Sequence, residues 1–300
     1  MDQPVFILSA GGRAGSTLIQ RLFLSTKQVL VWGEHNGLLV SGFCELMSGM
    51  ESWLSYQARG QLEYLDEHGY QEFIPNVNPA VQAFAAATRR FFDESLGKEA
   101  YRRGYQRWGF KEIRYGRKEA LFLQELYPDA RFVLLFRNPR DCLRSIKSMG
   151  WYKKDFGGDP CAFLKNWVRL SGELLSASAS LQRSCVVRYE ELVEDPETSI
   201  CRLANVTGVG EELFDRAVFA VRARGTKCPP KNLNAADIAA LAAPELRRIA
   251  DKLEYGRDLL RADEAGGAAP HCGGLGRTAS RWLHGLKSSL STAVHAVGSK

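Results

Sequence analysis

The hydrophobic positions of the chain form short apolar runs that alternate with segments of helical spacing. The apolar runs predict buried strands at Val5–Leu8, Val29–Trp32, Trp108–Lys111, Arg131–Phe136 and Cys185–Arg188. Helical periodicity predicts helices at Thr17–Ser25, Lys118–Tyr127, Ala162–Ala177, Glu197–Val206 and over a long region at Asp237–Leu259. Strands that alternate with helices are typical of an α/β fold, so we predict one domain with a mainly parallel central sheet flanked by helices.

The C-terminal part of the sequence has a different composition. Gly266-Gly267-Ala268-Ala269-Pro270 is typical of a linker, and apolar residues recur at helical spacing from Trp282 to Val297 among basic residues. We therefore predict a main domain over residues 1–264, and a Gly/Ala linker with a basic amphipathic helix over residues 265–300. That helix is expected either to touch a membrane surface or a partner, or to dock on the protein body.

Composition and charge exclude several classes of protein. With 300 residues, 45% hydrophobic and 25% charged, the chain is neither disordered nor fibrous. No apolar run approaches the roughly 18 residues of a membrane span, and no signal peptide is predicted, because Asp2 precedes a short apolar run that leads into a glycine-rich loop. The net charge of +6 suits a small anionic ligand, and no arginine-rich stripe indicates a nucleic acid partner.

The cysteines and histidines give no sign of a disulfide framework or a metal site. The seven cysteines are scattered without a C-x-x-C pair, and the five histidines show no ligand spacing. Reduced cysteines are typical of the cytoplasm, which we take as the expected location.

A glycine-rich segment follows the first predicted strand and leads into the first predicted helix. It reads Gly11-Gly12-Arg13-Ala14-Gly15-Ser16-Thr17. A loop between a strand and a helix directs free backbone N–H groups and the positive end of the helix dipole at one point, where an anion binds. Arg13 adds positive charge, and the hydroxyls of Ser16 and Thr17 add donors. The alternative is a plain turn in which Ser16 acts only as a helix N-cap.

This loop lacks the lysine of the nucleotide-kinase pattern G-x-x-x-x-G-K-[ST], because Ser16 follows Gly15 directly. In addition, the strand Arg131–Phe136 is followed by Arg137, where a magnesium-binding strand would supply an aspartate. The segment therefore favours an anion over Mg-ATP, and no metal is expected.

A second candidate anion site follows that strand, at Arg137-Asn138-Pro139-Arg140-Asp141. The carboxyl ends of strands are where open α/β sheets bind ligands. Asn138 is suited to cap the next helix, Pro139 to its first turn, and Asp141 to reach back as in a capping box. Ser145, eight residues after Arg137, is placed to share its ligand. The alternative is a well-capped helix start with a surface ion pair.

Taken together, the loop at Arg13–Thr17 and the pair Arg137 and Ser145 resemble the sulfotransferases that use 3′-phosphoadenosine 5′-phosphosulfate (PAPS), in their bacterial, Golgi and tyrosylprotein branches. In that family the R-x-G-[ST]-[ST] loop holds the 5′-phosphosulfate, and an Arg and a Ser eight residues apart hold the 3′-phosphate. The resemblance implies a P-loop-like fold. It also implies that the donor, and its desulfonated product PAP, bind to Gly12, Arg13, Ala14, Gly15, Ser16, Thr17, Arg137 and Ser145.

The resemblance covers about residues 4–210. It includes Arg188-Tyr189-Glu190-Glu191, which looks like the family's later strand-to-helix segment and places Tyr189 near the nucleotide. Two departures occur in the first loop: Gly11-Gly12 stands where a proline is common, and Ala14 where Ser or Thr is usual. Neither removes a donor that the chemistry needs.

The family resemblance also implies candidates for the chemical step. Tyrosylprotein sulfotransferases carry a catalytic Glu in a Gly-Glu-Glu segment, whereas the cytosolic branch uses a His. We therefore expect the base in Trp32-Gly33-Glu34-His35-Asn36, with Glu34 first and His35 second. The alternative is that both residues only bind the acceptor or shape the loop. Lys111 looks like the family lysine that contacts the bridging oxygen and balances the charge of the leaving group. The alternative is a surface lysine at a strand end. Arg114 is a second residue expected to face the cleft. The acceptor pocket is expected to draw on Trp32, Leu38–Met50 and Trp53–Tyr105.

The expected function is transfer of a sulfuryl group from PAPS to a hydroxyl acceptor, which could be a small molecule, a glycan or a peptide. Two alternatives remain open at this point. A P-loop small-molecule kinase shares the fold, and a non-catalytic PAP-binding protein would share the donor site.

Overall fold

Five apolar runs form the strands of one sheet in the computed structural model, which describes residues 3–57, 61–71, 78–221 and 231–260. The strands are β1 (Val5–Ser9), β2 (Val29–Trp32), β3 (Arg107–Glu112), β4 (Arg131–Phe136) and β5 (Ser184–Arg188). All pairings are parallel, and the spatial order is β2-β3-β1-β4-β5. Because helices cover both faces of a parallel sheet, its strands are continuous hydrophobic runs, as β1 and β4 are here.

The helices connect these strands and pack around the sheet. They are α1 (Ser16–Ser25), α2 (Leu39–Gln57), α3 (Gln61–His68), α4 (Val81–Phe92), α5 (Lys98–Arg102), α6 (Arg117–Leu126), α7 (Pro139–Ile146), α8 (Gly150–Phe156), α9 (Pro160–Ser178), α10 (Tyr189–Glu194), α11 (Pro196–Thr207), α12 (Ala217–Ala220), α13 (Ala235–Leu241) and α14 (Pro244–Lys252). A π-helical turn (Asp93–Gly97) joins α4 to α5, and a 3₁₀ turn (Glu211–Leu213) precedes α12.

An aromatic cluster fills the core on one side of the central strand. The ring of Phe6 in β1 lies 4.8 Å from Phe110, 5.5 Å from Phe132 and 5.9 Å from Trp108, measured between centroids. These rings are at most 1% exposed. Their packing fixes β1 between β3 and β4, so the carboxyl ends of these three strands meet at one edge of the sheet.

The chain leaves β1 toward β2 on one side and leaves β4 toward β5 on the other. Because β1 and β4 are neighbours, the loops that follow them diverge and leave a crevice between them. Both candidate anion motifs lie at this point, since Gly11–Gly15 follows β1 and Arg137 follows β4. The strand order therefore brings together two segments that are far apart in the sequence.

The structure confirms the predicted fold class, and each predicted strand lies within an observed strand. The structure divides the predicted helical region Asp237–Leu259: α13 ends at Leu241, α14 begins at Pro244, and the helix ends at Lys252, short of the predicted end. Proline lacks an N–H and cannot continue a helix, but it suits the first helical position, and Ala243 before it is extended.

Residues 1–261 form one compact unit. The predicted boundary at residue 264, the linker and the basic amphipathic helix lie outside the described residues, and so does the predicted loop at Cys228-Pro229-Pro230. Among the helices that the structure describes, none combines the length and the apolar character that a membrane crossing requires.

Candidate active site

The loop after β1 takes the tight path that the glycines predict. Gly11, Arg13 and Gly15 have φ values of 90°, 69° and 97°. The N–H of Ala10 donates to Leu135 O at 2.9 Å, which fastens the start of the loop to β4. A left-handed conformation costs a residue such as arginine about 1–2 kcal/mol. Strain of this kind persists where the surrounding structure imposes it, often at a functional site.

Gly15 is the N-cap of α1 and makes no side-chain capping bond. The alternative in which Ser16 acts as the N-cap is therefore wrong, because Ser16 is the first helical residue. The N–H of Leu18 donates to Gly15 O at 2.9 Å. No backbone hydrogen bond of normal geometry joins the N–H groups of residues 12–17 to a carbonyl of the described residues. With the helix N-terminus, these N–H groups are a candidate cradle for an anion.

The two anion motifs are in direct contact. The Arg13 Nε donates to Ser145 Oγ at 2.9 Å, and the Arg137 Nη1 donates to Arg13 O at 2.9 Å. The Arg137 Nε is buried and has no hydrogen-bond partner among the described residues. Burial, followed by the nearby Arg137 charge, lowers the pKa of Arg13. Two close guanidinium groups and an unsatisfied buried donor are an arrangement that an anion would stabilise.

Tyr189 connects both motifs. The Arg137 guanidinium lies 4.2 Å from the centroid of its ring, a cation–π contact. The ring also covers Gly15, where a Cβ atom would lie 2.7 Å from Cε2 and closer still to Cδ2. Gly15 is thus required both by its positive φ and by the close approach of Tyr189.

The start of α7 is held by a distant residue. The Asn138 side chain accepts from Arg140 N at 3.0 Å, and Pro139 occupies the first turn, as predicted. The Asn138 N–H donates to Glu190 Oε1 at 3.0 Å, so Glu190 takes the place expected for Asp141. Burial raises the pKa of Glu190. The Asp141 Oδ1 instead lies 4.0 Å from the Arg144 Nη1.

The candidate catalytic residues Glu34 and Lys111 form an ion pair. The Lys111 Nζ donates to Glu34 Oε1 at 2.6 Å, and the Arg114 Nη1 donates to Glu34 Oε2 at 3.1 Å. Burial raises the pKa of the Glu34 carboxyl, but the hydrogen bonds and charges of Lys111 and Arg114 outweigh burial and hold it below 4.5. The Lys111 side chain is 9% exposed, so it is a buried lysine at the strand end and not a surface one.

His35 lies beside this pair and faces the core. Its ring makes an edge contact with Phe110 at 5.0 Å, and its Nδ1 is buried without a partner among the described residues. Burial lowers the pKa of His35 below 6.5, and the nearby Glu112 charge opposes that shift. The imidazole is therefore neutral at pH 7 and retains one nitrogen that can accept a proton.

Two residues near the site were not assigned from the sequence. Trp151 covers Gly12, where a Cβ atom would lie 2.8 Å from its Cη2 atom. Glu112 is fully buried at the end of β3 and accepts hydrogen bonds from the loop that carries Glu34. Its only signal in the sequence is its position directly after the predicted strand Trp108–Lys111.

Part of the expected acceptor region borders a cavity of about 580 Å³ at the outer edge of β2. It is lined by Leu30, Trp32, Arg103 and Tyr105. The Trp32 Nε1 donates to Leu96 O at 3.1 Å, so this indole is fixed in place. No cluster of three or more metal-ligating side chains occurs in the part of the chain that the structure describes.

The parallel sheet brings two candidate anion motifs together at its carboxyl edge, beside a lysine–carboxylate pair, in a P-loop-like fold. The sequence model of the Sulfotransferase family matches residues 4–212. The chain belongs to this family, and it is a sulfotransferase. A search of curated proteins found no match.

Several solved bacterial structures are similar to the chain. The sulfotransferase domain from the curacin biosynthetic pathway is 15% identical, with a TM-score of 0.47, and the match covers 85% of this chain and 98% of that one. The sulfotransferase domain of the Synechococcus PCC 7002 olefin synthase is 19% identical, with a TM-score of 0.47 and coverages of 85% and 96%. A sulfotransferase from Mycobacterium avium is 15% identical, with a TM-score of 0.44 and coverages of 84% and 76%.

Proposed function

We propose that this sulfotransferase uses PAPS as its donor and transfers the sulfuryl group in line to a hydroxyl acceptor. The contact between the two anion motifs is the observation that carries this proposal. A donor with a phosphosulfate at one end and a 3′-phosphate at the other needs two cationic sites at a fixed separation. Arg13, Ser145 and Arg137 offer such a pair of sites through their mutual hydrogen bonds.

The donor-binding residues divide between the two ends of the nucleotide. The N–H groups of residues 12–17, with Arg13 and the hydroxyls of Ser16 and Thr17, take the 5′-phosphosulfate. The 3′-phosphate binds to Arg137 and Ser145, and Tyr189 holds the Arg137 guanidinium by stacking. The unpaired buried Arg137 Nε supports this assignment, since a buried donor gains most from an anion.

The chemical step breaks the S–O bond to the bridging oxygen and forms a bond from sulfur to the acceptor oxygen. The acceptor proton passes to a base, and PAP leaves. Lys111 balances the charge that develops on the leaving phosphate. Glu34, held 2.6 Å from Lys111, is the first candidate for the base, and neutral His35 is the second.

The pH dependence of kcat/KM for PAPS separates these two bases, because it reports pKa values of the free enzyme. Both candidates work deprotonated, so the rate falls as pH drops through the pKa of the base. If Glu34 is the base, the rate falls only in the acid range below the ordinary pKa of a glutamate, because Lys111 and Arg114 hold its pKa low. A fall that is complete above that range points instead to His35, whose pKa burial lowers from that of a free histidine.

The acceptor carries a hydroxyl group on a small molecule, a glycan or a peptide. We keep the cytoplasm as the expected location, because scattered cysteines suit a reducing compartment. The cysteines of the described residues, Cys44, Cys142, Cys161, Cys185 and Cys201, are all free thiols, in keeping with that expectation.

Thermal unfolding of the purified protein with PAP, and separately with ADP plus Mg²⁺, tests the donor assignment. A ligand at about 100 times its Kd adds roughly 2.7 kcal/mol of stability. At about 2–4 °C per kcal/mol, Tm rises by roughly 5–10 °C. The Arg137→Ala variant should lose this shift, whereas Arg183→Ala, an exposed arginine that pairs with Asp129, should keep it.

The outcomes separate the proposal from its alternatives. A shift with PAP alone, followed by release of PAP from PAPS in the presence of an acceptor, supports it. A shift with Mg-ADP alone would contradict PAPS as the donor. A shift with PAP without turnover on phenols, alcohols, sugars or peptides would contradict transfer to a hydroxyl acceptor of these classes.

A further inference from the structure

Glu112 is a fully buried carboxylate whose hydrogen bonds reach into the loop of residues 33–37. Its Oε2 accepts from the N–H groups of His35 and Gly37, both at 2.9 Å. Its Oε1 accepts from the N–H of Ile113 at 2.8 Å and from the Arg114 Nη1 at 3.1 Å. Its exposed fraction is 0%.

A carboxylate in such a place is costly unless its lone pairs are satisfied and its charge is balanced. Four donors satisfy it here, and Arg114 supplies the opposite charge. Three of the donors are backbone N–H groups from two different loops. One side chain therefore ties the strand end that carries Lys111 to the loop that carries Glu34 and His35.

The side chains of Glu34 and His35 contact Lys111, Arg114 and Phe110, but the backbone of the loop has few other hydrogen bonds. Gly33, Glu34 and Asn36 are exposed, and Asn36 and Gly37 have left-handed φ values of 56° and 70°. Within the loop, Leu38 N donates to His35 O at 3.2 Å, which closes a turn but does not fasten that turn to the sheet.

Arg114 extends the effect of Glu112 to the candidate base. The same nitrogen, Nη1, donates to Glu112 Oε1 and to Glu34 Oε2, each at 3.1 Å. Glu112 thus fixes the backbone on either side of Asn36 and also fixes the guanidinium that contacts the Glu34 carboxylate.

We propose that Glu112 is a positioning residue for sulfuryl transfer, which holds the loop of residues 33–37 and Arg114 so that the base faces the acceptor. This inference rests on the proposed function. Glu112 does not touch the substrates, so its loss should lower kcat and leave donor binding intact.

The test compares Glu112→Gln with a matched control, Glu119→Gln. Glu119 is also a carboxylate with two local contacts, from Gly116 N at 2.9 Å and Ser41 Oγ at 2.8 Å, but it has no bond to residues 33–37. Glu112→Gln keeps the shape of the side chain and removes its negative charge. It also replaces one acceptor oxygen by an NH₂ group, which then faces the N–H donors around it.

Three measurements are made on each variant. Hydrogen exchange of the peptide that contains His35 and Gly37 should be at least tenfold faster in Glu112→Gln and unchanged in Glu119→Gln. The kcat for release of PAP from PAPS, with water as acceptor, should fall about 10- to 100-fold in Glu112→Gln, since a misplacement of about 1 Å costs on the order of 100-fold. The Kd of PAP should stay within about twofold of wild type.

Unchanged exchange at the loop, or a kcat loss no larger than that of Glu119→Gln, would overturn the proposal. Should Glu112→Gln not fold, Arg114→Met removes one of the four contacts at an exposed side chain, and an unchanged kcat in that variant would also overturn it. Failure of the wild type to bind PAP or consume PAPS would instead contradict the proposed function. Hydrogen exchange would still show whether Glu112 holds the loop of residues 33–37.

Discussion

Replacing Gly15 by alanine perturbs both anion motifs through a single methyl group. Gly15 has φ 97°, and a Cβ atom there would lie 2.7 Å from the Tyr189 Cε2 atom and closer still to Cδ2. Real Cβ atoms essentially never approach another atom within 3.0 Å, so the Tyr189 ring must move. That ring supports the Arg137 guanidinium at 4.2 Å, so the Gly15→Ala variant disturbs the proposed 3′-phosphate site as well.

The expected loss of stability has two parts. A left-handed conformation costs an L-residue about 1–2 kcal/mol. Displacing Tyr189 forfeits the stacking with Arg137, worth about 0.5–2 kcal/mol. The sum is about 1.5–4 kcal/mol, and at about 2–4 °C per kcal/mol this lowers Tm by roughly 3–16 °C. We also expect the Kd of PAP to rise about tenfold, because Arg137 loses its support.

Gly208→Ala is the matched control for backbone strain. Gly208 has φ 69°, but an added Cβ there meets no atom within 4 Å. Gly208→Ala should therefore lose only the stability that the left-handed backbone conformation costs, about 1–2 kcal/mol. When Tyr189→Ala is already present, a Cβ atom at residue 15 no longer meets the tyrosine ring. Adding Gly15→Ala to that variant should then lower stability no more than Gly208→Ala does.

Thermal unfolding and calorimetric titration with PAP measure both effects. Equal Tm losses for Gly15→Ala and Gly208→Ala, with PAP affinity unchanged in both, would refute the proposed link between the loop, Tyr189 and Arg137.

Three further results are expected. Arg137→Ala should raise the Kd of PAP about 10- to 100-fold, as expected for a lost charge-assisted bond, and an unchanged Kd by titration would remove Arg137 from the site. Glu34→Gln should destabilise the protein at pH 7, and the difference should shrink with acidification below the ordinary glutamate pKa. The folded pKa of Glu34 is lowered, so its contribution is present above the unfolded pKa and lost as pH falls through the folded value; a urea-unfolding difference that does not shrink on acidification would contradict this. Lys111 and Arg13 supply the positive charge in the proposed mechanism, so EDTA should leave PAPS turnover unchanged. Inhibition by EDTA that added Mg²⁺ reverses would contradict this mechanism.

Features that depend on neighbouring residues could be predicted from the sequence. The apolar runs gave the strands, because a strand in a covered parallel sheet is hydrophobic on both faces. The glycine loop and the Asn138-Pro139 start of α7 were also predictable, since turns and caps are chosen by residues a few positions apart. The family resemblance rested on these local patterns, and the match over residues 4–212 confirms it.

The helical region predicted at Asp237–Leu259 shows where local reasoning fell short. Spacing alone did not show the break inside it, although Pro244 was visible in the sequence as a helix breaker. The alternative with Ser16 as N-cap was excluded for a related reason. Ser16 has the preferred residue type, but the left-handed turn places Gly15 at that position.

Contacts between distant segments were decided only by the tertiary structure. Arg13 and Ser145 are separated by 132 residues, and Asn138 and Glu190 by 52. Glu112 could not be recognised either, since two of its four donors lie in a loop about 75 residues away. The sequence determined which groups could bind an anion or accept a proton. The order and register of the parallel strands determined which of those groups meet, because the carboxyl ends of neighbouring strands bring remote loops within hydrogen-bond distance.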